Sequence, residues 1–175
     1  MIRFALCVLT LSLVSSQGLS AQQSGIGAGP FLGSALGLSA KGWVNDQYAL
    51  AAGLGVSVER DNAMHLHADY LIHSAEAPQK LAFFRDIGGD GLILTYYGAG
   101  ARLKLFDVNR LGARATLGLA YAAGRAPWDL YLEVVPVLDV IPDSDWNVTA
   151  FIGWRWFVDD RPRTPATPSF LRIGP

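Results

Sequence analysis

Apolar and polar residues alternate along this chain with a period of two. The clearest stretch is NVTAFIGWRW at 147–156. Val148, Ala150, Ile152, Trp154 and Trp156 share one face, and Asn147, Thr149, Phe151, Gly153 and Arg155 the other. Successive strand side chains point to opposite faces, so this pattern over about ten residues predicts a strand with one apolar face and one small or polar face. The same alternation predicts strands at 48–58, 64–72, 93–105, 111–121 and 130–138. Two glycine-rich stretches, 25–31 and 36–44, alternate more weakly and complete a set of eight.

Most links between these segments are short and rich in turn formers: Asn45-Asp46, Arg60-Asp61-Asn62, Asp107-Val108-Asn109, 124–127 and Pro142-Asp143-Ser144-Asp145. They predict antiparallel hairpins. One link, 74–90, is long and carries Pro78 and Gly88-Gly89. Counting crossings places it at the end where the strand series begins and finishes, the end at which outer-membrane barrels normally have short turns. Pro136 falls inside a strand and predicts a bulge, since it cannot donate to the ladder. Residues 158–175 hold four of the nine prolines and are expected to form a disordered tail after a barrel domain at 22–157.

Composition turns this β pattern toward a membrane. Hydrophobic residues make up 51% of the chain and charged residues 17%, against an ordinary charged share of about 25%. At the N-terminus, Arg3 precedes the apolar run 4–14, and Leu19-Ser20-Ala21 suits signal cleavage, so residues 1–21 are expected to be a secretory signal peptide. The single cysteine, Cys7, lies in that segment, which leaves the remainder without disulfide chemistry. No later apolar run approaches the roughly 20 residues of a membrane helix. A membrane location would therefore require a closed sheet, the other structure that satisfies every backbone group in lipid. The expected fold is all-β: an eight-stranded antiparallel up-and-down transmembrane β-barrel in the cell outer membrane of a Gram-negative bacterium.

With the apolar faces outward, the interior would collect a polar network of Lys41, His65, His67, Asp69, His73, Arg102, Lys104, Arg114, Glu133, Asp139 and Arg155. An eight-stranded barrel is just wide enough to be filled by side chains, so these charges must pair with one another and plug the lumen. A soluble barrel with the faces reversed would present Ala49, Ala51, Gly53, Gly55, Gly98, Gly100 and Gly118 to water, a surface too poor in charge. Trp43, Tyr48, Tyr70, Trp128, Trp146, Trp156 and Phe157, with Phe106 and Tyr121, fall near strand ends and are expected to form an aromatic girdle.

The stretches GLSAKGWV (37–44), HLHADYLIH (65–73), YYGAGARLKL (96–105), GLAYAAGRAPWDLYLEVVPVLDVIPDSDW (118–146) and FIGWRWF (151–157) resemble a family of small outer-membrane barrels defined by a domain of unknown function, also found in spirochaetes and eight-stranded in the manner of OmpA and OmpX. The resemblance implies an outer-membrane barrel and no activity. It also implies a terminal aromatic read by the barrel-assembly machinery. Phe157 suits that role, although eighteen residues follow it.

No motif specifies a reaction. His65, His67, Asp69 and His73 share one strand face, but alternate positions on a single strand seldom converge on a metal, and a hydrogen-bonding role is expected for them. His73 and Ser74 are adjacent, hence on opposite faces, which is poor geometry for a base and its nucleophile, even with Glu76 nearby. Gly25–Gly29 lacks the lysine and the helix of a phosphate loop. With a formal net charge of −1, nothing points to nucleic acid. The reading is a monomer without cofactor or metal and with a structural or surface-interaction role. Its expected partners are outer-membrane lipid and, during export, the periplasmic chaperone and barrel-assembly machinery. A lipid-modifying enzyme or a narrow channel are the alternatives.

Overall fold

The structure is a computed structural model that describes residues 25–58, 63–75, 78, 91–105, 109–124 and 126–158. The signal peptide expected at 1–21, residues 159–175 of the expected tail, Phe106 and Glu76 lie outside the described residues. Eight strands follow in chain order: β1 (Ile26–Gly33), β2 (Ala35–Trp43), β3 (Tyr48–Ser57), β4 (Met64–Ser74), β5 (Leu92–Leu105), β6 (Arg110–Ala122), β7 (Trp128–Ile141) and β8 (Asp145–Val158). Each pairs antiparallel with the next, and β1 pairs with β8, giving a closed up-and-down barrel. Closure leaves no free strand edge. Every strand expected from alternation is present. β8 continues through Val158, one residue past the expected boundary of the barrel.

The alternation sorts side chains without exception for charge. All acidic, basic and histidine side chains of the described strands lie on the inward rows, and the outward rows carry none. Along β8, Trp146, Val148, Ile152, Trp154, Trp156 and Val158 are outward and exposed, whereas Thr149, Phe151, Arg155 and Phe157 are buried inside. The register also aligns an outward row of alanines across six adjacent strands, Ala28–Ala40–Ala52–Ala68–Ala101–Ala113.

Pro136 keeps its register with Val148 on β8 and leaves a gap in the ladder toward β6, with no shift across the gap. The bulge expected there lies instead at Val140, where pairing passes from Leu111–Ile141 to Gly112–Asp139. The cause is the rim: Val140 and Ile141 both face outward, and the extra residue restores Asp139 to the lumen. The long link at 75–91 joins β4 to β5 at the end where β1 starts and β8 finishes, hereafter the terminal end. The links 44–47 and 123–127 lie at the same end, and the remaining four join strands at the opposite, hairpin end.

Glycines on inward rows make room for neighbouring rings. A Cβ at Gly118 would strike the Tyr96 ring, and one at Gly153 the Tyr131 ring. Both tyrosines thus lie flat across the adjacent strand, which lets large side chains fit a narrow lumen. Gly118→Ala should therefore destabilise the barrel by about 1–3 kcal/mol, the usual cost of overpacking. Gly42→Ala, where an added Cβ would meet only Ile26 Cγ1 at 3.9 Å, should be near neutral. Denaturant midpoints of the two variants would check this.

Candidate functional site: the barrel lumen

The structure places nine of the eleven predicted lumen residues in close polar or aromatic contact inside the barrel. At the terminal end, β2, β7 and β8 contribute a buried triad. Arg155 Nε donates to Asp129 Oδ1 at 3.0 Å, and Lys41 Nζ stands 3.7 Å from Asp129 Oδ2. Lys41 and Arg155 are each 1% exposed. Aromatic faces complete their surroundings: Lys41 Nζ lies 4.2 Å from the centre of the Trp43 ring, and the Arg155 guanidinium 3.8 Å from that of Tyr131. Ring quadrupoles stabilise cations in such positions, most strongly where water is excluded.

In the middle of the lumen, Tyr96 Oη donates to Glu133 Oε1 at 2.7 Å and Tyr131 Oη donates to Ser39 Oγ at 2.9 Å. Arg114 Nε forms an ion pair with Asp69 Oδ1 at 3.0 Å. Toward the hairpin end, Arg102 Nη2 spans both oxygens of Asp139, at 2.7 and 2.6 Å. Most of these contacts skip a strand or cross the barrel. Arg102 and Tyr96 on β5 reach β7 over β6, Arg114 on β6 reaches β4 over β5, and Lys41 on β2 reaches β7. Among the described residues, the buried charges are four cations (Lys41, Arg102, Arg114, Arg155) and four carboxylates (Asp69, Asp129, Glu133, Asp139). The deep lumen is therefore balanced without a foreign ion. Lys104, half-buried, and His65, buried, lie near the hairpin rim.

The three histidines do not converge. His67 packs against Phe31 and Phe151, at ring-centre distances of 5.9 and 6.4 Å, and His73 lies between Trp43 and Tyr96 at 4.4 and 4.9 Å. Among the described residues, no group of three His, Cys, Asp or Glu side chains is placed to hold a metal ion. His73 points inward and Ser74 belongs to the outward row, so the two are not arranged as base and nucleophile.

Two predicted girdle residues are corrected. Trp43 and Phe157 point into the lumen, because each lies two positions from an inward cation, Lys41 or Arg155, and so shares its face. Phe157 is 3% exposed and covers Gly27 at the terminal end. Tyr48, Tyr70, Trp128, Trp146 and Trp156 do face outward, joined by Tyr97, Tyr121 and Trp154. Tyr48 stacks on Tyr70 at 5.7 Å, Tyr121 meets Trp128 at 5.8 Å, and Trp154 meets Trp156 at 6.1 Å. All but Trp146 belong to the terminal half of the barrel, so the girdle is one-sided among the described residues.

Sequence reasoning missed Asp129, the hinge of the deepest triad. It stands just before the segment expected at 130–138, whereas β7 begins at Trp128. Carried back by one period from Glu133 and Tyr131, the same alternation puts Asp129 on the inward face. Tyr96, Tyr131 and Ser39 were on inward rows but carried no charge to mark them.

Removing one partner of a buried pair strands the other. Asp139→Asn should destabilise the barrel by about 3–5 kcal/mol, whereas Asp145→Asn, at a site 61% exposed, should cost less than about 1 kcal/mol. Urea unfolding of both variants, with Arg102→Met added to Asp139→Asn to test for partial rescue, would check this.

No family model, curated protein or solved structure matches the chain.

Proposed function

We propose that the chain is a small outer-membrane β-barrel with a structural or surface-interaction role, its lumen closed by the polar network. One observation carries this reading: in the described strands all charge faces inward, with Leu, Val, Ile, Trp and Tyr exposed on the outside. Leu38, Leu50, Leu54, Leu117, Leu132, Val148 and Ile152 are all between 48% and 66% exposed. Contiguous apolar surface on this scale, wrapped around the whole barrel, would drive aggregation in water. In lipid it is the stable arrangement, and the paired aromatics at the terminal end suit the headgroup boundary.

The balanced, ring-packed interior favours a plug over a pore. The partners are outer-membrane lipid and, on the way there, periplasmic chaperones and the barrel-assembly machinery. The links at the hairpin end are short, so a surface interaction would use the rim itself and not projecting loops.

The location is tested by fractionation and gel mobility. The folded protein is expected in the outer-membrane fraction, migrating faster unheated than boiled, and recovery only from the soluble periplasm would overturn the reading. Ala52→Arg provides a sharper test, since Ala52 lies on the outward face midway along β3. On a lipid face it should cost about 2–4 kcal/mol, and on a water-exposed face its effect should stay within about 0.5 kcal/mol. Planar-bilayer recordings of the native barrel should show no steady conductance.

A further inference from the structure

The closure that removes strand edges ends partway up one seam. β1 pairs with β8 only as far as Gly33 with Phe151. The last bonds across the seam go to Ser34: its N–H donates to the Ala150 carbonyl at 3.1 Å, and its hydroxyl accepts from the Ala150 N–H at 3.4 Å. Beyond Ser34 the chain turns back into β2, whereas β8 reaches up to Asp145 and stays paired with β7 on its other side. Residues 145–149 of β8 thus rise above the end of β1, a length of about 17 Å at the usual rise per residue.

Alternate residues of a strand turn their N–H and C=O toward the same neighbour. Both groups of Ala150 face β1, so those of Val148 and Trp146 face the same side, where β1 has ended. Among the described residues, nothing on that side takes these four groups. Exposure agrees with an open edge. Residues 141–148 are exposed without interruption, Trp146 at 64% and Val148 at 55%. Asn147 is exposed although it belongs to the inward row, because β1 no longer stands beside it.

The bare backbone groups decide what this edge takes. Unpaired N–H and C=O groups are unstable in hydrocarbon, so in the outer membrane this length of β8 stands above the lipid chains. In water, a bare strand edge is a template for another chain. Its donors and acceptors recur at every second residue, about 6.8 Å apart, a spacing that another extended backbone matches and a compact ligand does not. Antiparallel pairing of two copies through this edge would point the two barrels in opposite directions, out of a common membrane. The side chains add selectivity. Trp146 and Val148 line the outward flank, and Asn147 and Thr149 the other, so a strand that alternates apolar with polar residues fits both.

We propose that residues 145–149 of β8 are a docking edge for an extended segment of another protein, which adds as a further strand above β1. The inference deepens the surface-interaction role proposed above and rests on it.

The probe is a capped peptide of alternating threonine and valine ending in two lysines, titrated into isotope-labelled full-length protein in detergent micelles. Amide-resolved NMR should show saturable shifts at Trp146 and Val148 at about millimolar peptide, because the backbone bonds formed are few and each is modest in net strength. The same peptide N-methylated at every residue cannot donate and should leave both amides unmoved. Val148→Pro removes a donor from the free edge without touching the β7 ladder, and should weaken binding of the unmodified peptide about tenfold. Gel mobility establishes that this variant is intact, and the methylated peptide puts the same question to the native protein should the variant fail to fold. Absence of saturable shifts at the two amides, or equal shifts with the methylated peptide, would overturn the inference. Self-association that Val148→Pro abolishes would also overturn it, by assigning the edge to a second copy. Fractionation reads the location separately: an outer-membrane barrel whose edge takes no peptide overturns this inference alone, and recovery from the periplasm overturns the membrane reading with the edge still decided by the peptide.

Discussion

Among the described residues, four buried cations and four buried carboxylates share the interior of a barrel only eight strands around, and the fold depends on their mutual satisfaction. A single charge left alone in such a place costs several kcal/mol, far more than an exposed pair contributes. Arg155, Asp129 and Lys41 answer this at one end and Arg102 with Asp139 near the other. Arg114 with Asp69 and Tyr96 with Glu133 fill the middle. Because most of these contacts join strands that are not ladder neighbours, they tie the wall across its own lumen, where backbone hydrogen bonds cannot reach.

The same constraint accounts for the glycines and rings. A tyrosine can lie across the lumen only where the facing strand has no side chain, and Gly118 and Gly153 provide that space for Tyr96 and Tyr131. The tyrosines then serve the charges twice, through their hydroxyls toward Glu133 and Ser39 and through the Tyr131 ring beneath Arg155. At the hairpin end this arrangement stops. The wall there is lined by polar groups around open space. The bulge at Val140 belongs to this change, since it returns Asp139 to the lumen beside Arg102 and Arg110.

Most of the architecture was legible because a period of two is a local property. Each strand's faces follow from its own residues, and the sign of the pattern, with charges on one face of every segment, gave the inside before any pairing was known. Misassignments arose where parity was not carried through to the end of a strand. Trp43 and Phe157 were grouped with the girdle by their nearness to a strand end, although each stands two residues from an inward cation. Asp129 lies outside the expected segment 130–138 because β7 begins two residues earlier, at Trp128. The bulge was assigned to Pro136, the residue with no amide proton, yet the register shifts at Val140.

The sequence by itself determined the number of strands, their order in the chain and which side chains would face inward, since these depend on neighbours two residues apart. Only the tertiary structure decided which cation meets which carboxylate, where the lumen is packed by rings and where it opens. Those pairings join residues such as Lys41 and Asp129 or Arg102 and Asp139, far apart along the chain, and their meeting is fixed by strand register and barrel closure, which no local pattern encodes.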